Sequence, residues 1–468
     1  MRSRQFVASC ALIAAGALAA PAGAQGGSAG ATAAGSPGVP KLQFEKTTLP
    51  NGLQVILHED HSTPIVVANT WYHVGSGDEK PGRTGFAHLF EHIMFMGSQN
   101  VPVGQFDKWL ESVGADNNGT TNNDRTNYYE VLPSNALPLA LWLDADRMGN
   151  LLPVMTQSKL DLQRDVVKNE RRERYENAPY GRANETIWAA LFPATHPYHW
   201  PPIGSMADLS AASLDDVKEF FRTYYAPNNA TLVIAGDFNR DSAMTWVNRY
   251  FAAIPRGPQA PVRPAVPAVS IPRDTFLVQE DKVTLPRLYQ TWHSVRLYHQ
   301  DDAVLDVLAD VLAGDKNSRL YKRLVFDMQV AQDVNAYQFS GRLDGYFQIL
   351  VTPKPGQTPT RMAQLIAEEL GKIAREGVTP RELARSLNSR RAAFLDQLAS
   401  VLNKADRLAS YDYYAGNPDY VQQDFARYER VTAADVQRVA ATYLSKPRVV
   451  LTVVPEGRRQ LMVSGGAK

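Results

Sequence analysis

Apolar and polar positions follow the same order in two halves of the 468-residue chain. Each half opens with strand-like apolar runs, and amphipathic segments with a helical period follow. Each half closes with a helical segment and a last β run. This pattern predicts an α+β fold built from two similar α/β sandwich domains. The opening runs are 53–57, 65–74, 276–278 and 288–295, and the closing pairs are 214–224 with 230–235 and 433–443 with 449–454.

A proline-rich segment, 255–273, separates the two halves. Proline at every third position is typical of an extended, semi-rigid linker. We therefore expect domains at 42–254 and 274–468. Residues 25–41 are mostly Gly, Ala, Ser and Pro, a composition that predicts a flexible leader. The regularly spaced prolines are Pro258, Pro261, Pro264 and Pro267.

The first residues have the pattern of a secretory signal peptide. Arg2 and Arg4 precede an apolar run over 6–20, and small residues follow at 22–24. We expect residues 1–24 to be removed and the protein to be exported, to the periplasm if the source is bacterial. No later run reaches the roughly 20 apolar residues that a membrane span needs.

Composition excludes several other classes of protein. The chain has 44% hydrophobic and 21% charged residues, as ordinary globular proteins do. Its 49 Lys and Arg residues nearly balance its 48 Asp and Glu residues, which gives no reason to expect a nucleic-acid partner. The single cysteine, Cys10, lies in the signal peptide, so no disulfide is expected in the mature protein.

The strongest chemical signal is the run His88-Leu89-Phe90-Glu91-His92. We expect it in a helix that begins at Thr84 as N-cap and ends at Gly97. His88 and His92 are four residues apart and share a face, and the neighbouring residues are apolar all round, so the helix should be buried. Buried imidazoles and a carboxylate need partners, and a metal ion supplies them. The pattern H-x-x-E-H is that of inverted zinc peptidases.

A third protein ligand is expected in a second helical segment, 158–177. Catalytic zinc takes three protein ligands, often with a carboxylate among them. Glu170 is the first candidate because it lies close to the apolar face, and Glu173 and Glu176 are the alternatives. The inner face is marked by Leu160, Val166 and Val167.

These features resemble the insulinase and mitochondrial-processing-peptidase family of zinc metallopeptidases, also called pitrilysin-like. The resemblance extends over about 44–454 and includes 75–77, the motif at 88–92, Glu170 and the segment 114–129. It implies that the two domains form half of a clamshell. It also implies one zinc ion per chain, bound by His88, His92 and Glu170, with Glu91 as the catalytic base.

In the family, the counterpart of 114–129 is an edge strand that binds the substrate backbone in extended form. The resemblance therefore assigns substrate contacts to Asn118, Gly119 and Thr121. It assigns supporting roles behind the site to Asp124 and Thr126. For each of these residues, a purely structural role in a turn is the alternative.

Two features depart from the family pattern. Many relatives carry a second Glu seven residues before the third ligand, where this chain has Gln163. Relatives that bind substrate with their second half carry an Arg and a Tyr there, at the positions where this chain has Val325 and Gln332. The resemblance thus implies a zinc-bearing subunit whose homologous partner supplies the Arg/Tyr pair.

The expected function is that of an exported zinc endopeptidase that cleaves short or unfolded peptides inside a chamber, as the catalytic subunit of a heterodimer. The alternative is a non-catalytic structural or assembly subunit of the same fold. A metal-storage protein is a third interpretation, but it leaves Glu91 without a purpose. The aromatic segment 411–420 either lines the chamber or packs between the domains.

Overall fold

The computed structural model describes residues 38–263, 266 and 269–465. The predicted signal peptide and most of the predicted leader lie outside these residues. At the start of the described chain, Val39 is buried and its carbonyl accepts a hydrogen bond of 2.6 Å from Gln422 Nε2. Packing therefore begins three residues before the predicted domain boundary at 42.

The first half of the chain forms a six-stranded sheet with the order β1-β2-β6-β3-β5-β4. β2 and β6 are parallel, and the other neighbouring pairs are antiparallel. β4 lies at one edge of this sheet, as the sequence predicts. The strands are β1 (Glu45–Thr48), β2 (Gln54–Glu59), β3 (Ile65–Tyr72), β4 (Asp116–Thr121), β5 (Thr126–Pro133) and β6 (Ala230–Gly236).

The second half repeats this topology in a five-stranded sheet with the order β7-β11-β8-β10-β9. Again one pair, β7 and β11, is parallel and the others are antiparallel. Apart from the additional edge strand β1, the described strands have the same order and directions in both sheets, which confirms two domains of similar construction. The strands are β7 (Thr275–Asp281), β8 (Arg287–His293), β9 (Ala331–Ser340), β10 (Gly345–Pro353) and β11 (Arg448–Pro455).

Helices cover the sheets in both halves. In the first half they are α1 (Phe86–Ile93), α2 (Gln105–Ser112), α3 (Leu137–Asn150), α4 (Gln157–Arg171), α5 (Ala183–Leu191), α6 (Met206–Ala211), α7 (Leu214–Tyr224) and α8 (Arg240–Phe251). In the second half they are α9 (Asp302–Ala313), α10 (Pro359–Glu376), α11 (Pro380–Gln397), α12 (Val401–Ser410), α13 (Val421–Glu429) and α14 (Ala433–Tyr443). Short π-helical turns follow at Arg172–Glu176, Tyr321–Asp327 and Tyr411–Ala415.

The two halves exchange helices across their sheets. α12 of the second half packs on the first sheet, where Leu408 and Tyr411 join Trp71 in one buried cluster. α5 of the first half packs on the second sheet, where Ile187 joins Leu451. The proline-rich segment is therefore only one of several connections between the halves. Among the described residues, no helix is both long and apolar enough to cross a membrane.

Candidate metal centre

α1 carries the H-x-x-E-H motif and is buried on all sides, as its apolar neighbours predict. Thr84 is not its N-cap, contrary to the prediction. The N-cap is Gly85, which has no side chain to accept a hydrogen bond, while the Thr84 hydroxyl donates to Asp208. Glu79 takes over the capping function, because its carboxylate accepts the amides of Gly85 (3.0 Å) and Ala87 (2.8 Å). A carboxylate at this end of the helix also interacts favourably with the helix dipole.

α4 packs against α1 and brings Glu170 close to the two histidines of α1. Its packing residues are Leu160 and Val167, which are fully buried. Val166, which the sequence places on the inner face, is instead 37% exposed, because the buried stripe is narrower than predicted. Glu173 and Glu176, the alternative ligands, are both exposed on the π-helical turn that follows α4.

Three potential ligands converge between α1 and α4. His88 Nε2 lies 3.7 Å from Glu170 Oε1, and His92 Nε2 lies 3.1 Å from Glu170 Oε2. One ligand atom from each of the three side chains lies within 4.8 Å of the others. Two imidazole nitrogens and one carboxylate oxygen are a donor set that catalytic zinc takes. The residues present therefore fit a zinc ion.

Burial and neighbouring groups favour the metal-binding forms of His88 and Glu170. Burial lowers the pKa of His88, which favours neutral imidazole. Burial alone would raise the pKa of Glu170, but the hydrogen bond with His92 and the positive charge of Arg174 act against it, and its pKa is below the ordinary value. Arg174 Nη1 lies 2.8 Å from Glu170 Oε1. Neutral histidines and an ionised carboxylate are the ligand states that metal binding requires.

Glu91 lies beside this group and against the edge strand. Its side chain is buried, and among the described residues its Oε2 atom has no hydrogen-bond partner. A Cβ atom at Gly119 of β4 would lie 2.9 Å from Glu91 Cγ, so glycine lets the strand approach the carboxylate closely. Glu91 therefore places a carboxylate oxygen, which has no partner in the described part of the chain, between the ligand group and an edge strand.

The register of β4 decides which backbone groups face outward. Asn122 N donates to Arg125 O at 3.0 Å, whereas Gly119 N donates to the side chain of its neighbour Asn118 at 2.8 Å. By the alternation of antiparallel pairs, the backbone groups of Gly119 and Thr121 point away from β5. The backbone of Asn118 pairs with β5, and its side chain occupies the outward amide of Gly119.

Asp124 and Thr126 fasten the far end of the edge strand. Thr126 Oγ1 donates to the carbonyl of Val74 at 2.9 Å, and it lies 3.3 Å from Thr121 Oγ1. Asp124 accepts hydrogen bonds from Tyr198 Oη (2.8 and 2.9 Å). Both residues therefore fix the turn and the strand end next to β4 to the rest of the first half.

Comparison with known proteins assigns the family. Residues 54–196 match the model described as "Insulinase (Peptidase family M16)", and residues 211–390 match "Peptidase M16 inactive domain". Together the two matches cover more than half of the chain. The chain belongs to peptidase family M16, the insulinase family.

Individual M16 relatives cover nearly the whole chain. It is 28% identical to the zinc protease PqqE of Helicobacter pylori over 86% of its own length and 90% of the relative's. It is 22% identical to a probable mitochondrial-processing peptidase subunit beta of Arabidopsis thaliana, over 87% of its own length and 77% of the relative's. A crystal structure of a protease from Helicobacter pylori superposes with a TM-score of 0.81 at 26% identity, covering 89% of this chain and all of that one. The periplasmic protease PqqL of Escherichia coli has the same fold (TM-score 0.76, 20% identity), and this chain covers 50% of its length and matches over 92% of its own.

The three positions at which the sequence was expected to depart from the family pattern, 163, 325 and 332, lie in regular elements of the structure. Gln163 lies on α4, and its Nε2 atom is 2.6 Å from Met96 Sδ. Val325 lies in the π-helical turn Tyr321–Asp327, and Gln332 is exposed on the outer strand β9.

The second half carries an ion pair at the position that corresponds to the metal centre. α9 follows β8 as α1 follows β3, and it carries Asp306 and Asp310 at the spacing of the two histidines. Arg390 on α11 lies between them, with Nη1 3.4 Å from Asp306 and Nη2 2.9 Å from Asp310. In this half the guanidinium of Arg390 links α11 to α9.

Three residues could not be assigned from the sequence: Glu79 and Arg174 beside the centre, and Arg390 in the second half. The lack of a capping side chain at Gly85 was a signal that another residue had to cap α1. Arg174 lies one turn after Glu170, the spacing of a helical ion pair, but Arg172 and Glu176 are also four residues apart. Arg390 required knowledge of the topology.

Proposed function

We propose that the chain is an exported zinc endopeptidase that cleaves short or unfolded peptides. The observation that carries this proposal is the convergence of His88, His92 and Glu170 beside Glu91 and an outward-facing edge strand. Membership in a peptidase family and relatives named zinc proteases support it.

His88, His92 and Glu170 would hold the zinc ion. Bound zinc supplies Lewis-acid chemistry, since it makes water acidic enough to attack near neutral pH and polarises a carbonyl group. Glu91 accepts the proton of the attacking water at its unpartnered Oε2 atom and delivers it to the leaving amine nitrogen. Gln163 has no basic oxygen, so Glu91 carries the proton transfer alone.

The edge strand β4 would bind the peptide. The outward backbone groups of Gly119 and Thr121 pair with an extended substrate, and the Asn118 side chain yields the Gly119 amide to it. Main-chain pairing selects chain conformation more than side-chain sequence, so folded proteins are excluded and flexible peptides are accepted. Alignment along the strand places the scissile bond next to Glu91, which makes the attack effectively unimolecular.

The proposal includes export and a homologous partner. The predicted signal peptide supports export, and the periplasmic protease among the similar structures is consistent with it. The partner would supply the Arg/Tyr pair that Val325 and Gln332 replace here. Two comparisons support pairing of two such chains. This chain matches half of the length of PqqL, and one relative is named as a subunit of a processing peptidase.

A non-catalytic assembly subunit is the alternative. Hydrolysis of a quenched, unstructured peptide by the zinc-loaded mature chain decides between the two, with Glu91→Gln as the matched control. We expect the wild type to cleave and Glu91→Gln to bind zinc without turnover. Turnover retained by the variant would remove Glu91 from the mechanism. No cleavage by the wild type, alone and with its copurified homologous partner, would favour the assembly subunit.

A further inference from the structure

The turn that ends the edge strand β4 meets three other parts of the chain. In this turn, 122–125, the carbonyl of Asn122 accepts Ser76 N at 3.0 Å and that of Asn123 accepts Gly77 N at 2.8 Å. A Cβ atom at Gly75 would lie 2.4 Å from the Asn122 carbonyl, so the two backbones are in direct contact. The turn is therefore packed against the loop that precedes α1.

Asp124 is where the second half of the chain reaches this turn. Its carboxylate accepts a hydrogen bond from Arg342 N at 2.9 Å, in the hairpin between β9 and β10. Tyr198 Oη, which donates to Asp124, accepts Leu343 N at 3.0 Å in the same hairpin. Tyr413 Oη donates to the Asp124 carbonyl at 3.0 Å. The aromatic segment 411–420 thus contributes at least one residue to the packing between the halves.

Arg263, in the proline-rich segment, completes the arrangement. Its Nε donates to Asp78 Oδ1 at 2.5 Å, its other nitrogens bind Asp78 and Asp124, and Nη2 reaches the carbonyls of Asn123 and Asp124 at 3.2 Å. The three charged side chains are between 5% and 7% exposed. Without the guanidinium, two buried carboxylates would face each other uncompensated, which is a costly arrangement.

The pair Asp78–Arg263 also connects to the motif helix. Asp78 Oδ2 accepts Gly75 N at 2.8 Å, and the next residue, Glu79, caps α1. One guanidinium therefore joins the end of the edge strand to the loop that fixes the start of α1. The distance between the outward groups of β4 and the carboxylate of Glu91 depends on both elements.

We propose that Arg263 is a positioning residue that sets the peptide-binding strand against the motif helix. The hairpin 341–344 and Tyr413 hold the other side of Asp124, so the second half fixes the substrate strand although it carries no metal motif. This inference rests on the proposed peptidase function. It assigns a task to a segment whose sequence indicates only a linker.

Kinetics of Arg263→Ala test the proposal, with Arg390→Ala as the matched control. Both arginines bind two aspartates, but Arg390 lies in the second half away from β4. For the quenched peptide we expect Arg263→Ala to raise KM about tenfold, with a smaller change in kcat and unchanged zinc content. Arg263→Lys, which keeps the charge, should recover part of the loss. Arg390→Ala should leave KM unchanged.

Hydrogen exchange separates this proposal from the peptidase function. Amides of 116–126 should exchange about tenfold faster in Arg263→Ala than in the wild type, and this does not depend on turnover. If the wild type cleaves no peptide, the exchange result still shows whether Arg263 positions β4. Unchanged exchange and unchanged KM would overturn the proposal, as would equal effects of Arg390→Ala. If Arg263→Ala does not fold, Tyr413→Phe replaces it, because this variant removes one hydrogen bond to Asp124. We expect smaller increases in KM and in the exchange rate of the same amides. Unchanged KM and exchange in Tyr413→Phe would equally overturn the proposal.

Discussion

At the scale of single residues, the centre depends on polar groups placed where only a ligand can satisfy them. Glu91 is 4% exposed and one of its oxygens has no partner within residues 38–263, 266 and 269–465, and His88 is 8% exposed. A protein without a use for these groups would replace them with apolar residues, because unpaired buried polar groups are costly. On α9 of the second half, Ala309 stands at the spacing of Glu91, whereas Asp306 and Asp310 stay polar and are paired with Arg390.

The close approach of Gly119 to Glu91 gives a prediction at this scale. In Gly119→Ala the new Cβ atom must displace the Glu91 side chain or β4, since it would lie 2.9 Å from Cγ. We expect peptide turnover to fall by about 100-fold, the cost of a small misplacement, while zinc content stays at one ion per chain. Gly371→Ala in α10, which meets only the end of the flexible Arg375 side chain, should retain activity. Full activity of Gly119→Ala would show that β4 does not position Glu91.

At the scale of elements, much of the fold could be predicted from the sequence. The segments 214–224 and 433–443 are helices with the predicted bounds, because each has a local capping box, at Ser213 and Thr432. The start of α1 was predicted wrongly because its cap, Glu79, comes from six residues before Gly85 and needs the fold to bring it there. Local sequence patterns such as capping boxes predict where a helix begins. They do not predict a contact that forms only when the chain folds.

The candidate site divides in the same way. The ligand trio could be proposed from spacing and family resemblance, and the three side chains do lie together. Arg263 and Arg390 could not, because their partners are up to 185 residues distant in sequence. The exposure of Val166 was missed because α4 packs through a narrow stripe, and helical periodicity gives the centre of a buried face better than its width.

The capping box of α11 gives a pH prediction at the element scale. Arg319 hydrogen-bonds Glu382, which also accepts the Thr379 amide, and together they lower the pKa of Glu382 to about 2 from 4.5. A lowered pKa in the folded state contributes stability above the unfolded value of 4.5, and this contribution is lost as pH falls towards 2. Glu382→Gln should therefore cost about 2 kcal/mol of unfolding free energy at pH 7 and much less at pH 3. Urea unfolding at the two pH values measures this, and an equal cost at both would contradict the assignment.

At the scale of the whole molecule, the exchanged helices make the halves interdependent. α12 and α5 each cover the sheet of the other half, and Asp124 joins the halves at the edge strand. The linker therefore separates the two domains along the sequence only. Because the domains pack on each other, we expect them to unfold together. We therefore expect the half without a metal motif to stabilise the half that has one.

Shared stability predicts a single unfolding transition. Leu408 on α12 is fully buried within the cluster that includes Trp71 of the first sheet. Leu408→Ala should remove about 3 kcal/mol and shift the unfolding of both halves together. Hydrogen exchange along β6 and β11 during urea unfolding reports each half. Separate midpoints, with only the β11 midpoint moved, would show that the halves are energetically independent.

The most direct test of the central claim is anomalous X-ray diffraction at the zinc edge from crystals of the zinc-loaded Glu91→Gln protein. We expect an anomalous peak between α1 and α4, within bonding distance of His88 Nε2, His92 Nε2 and a carboxylate oxygen of Glu170. A peak at other residues, or none at this place in fully loaded protein, would contradict it.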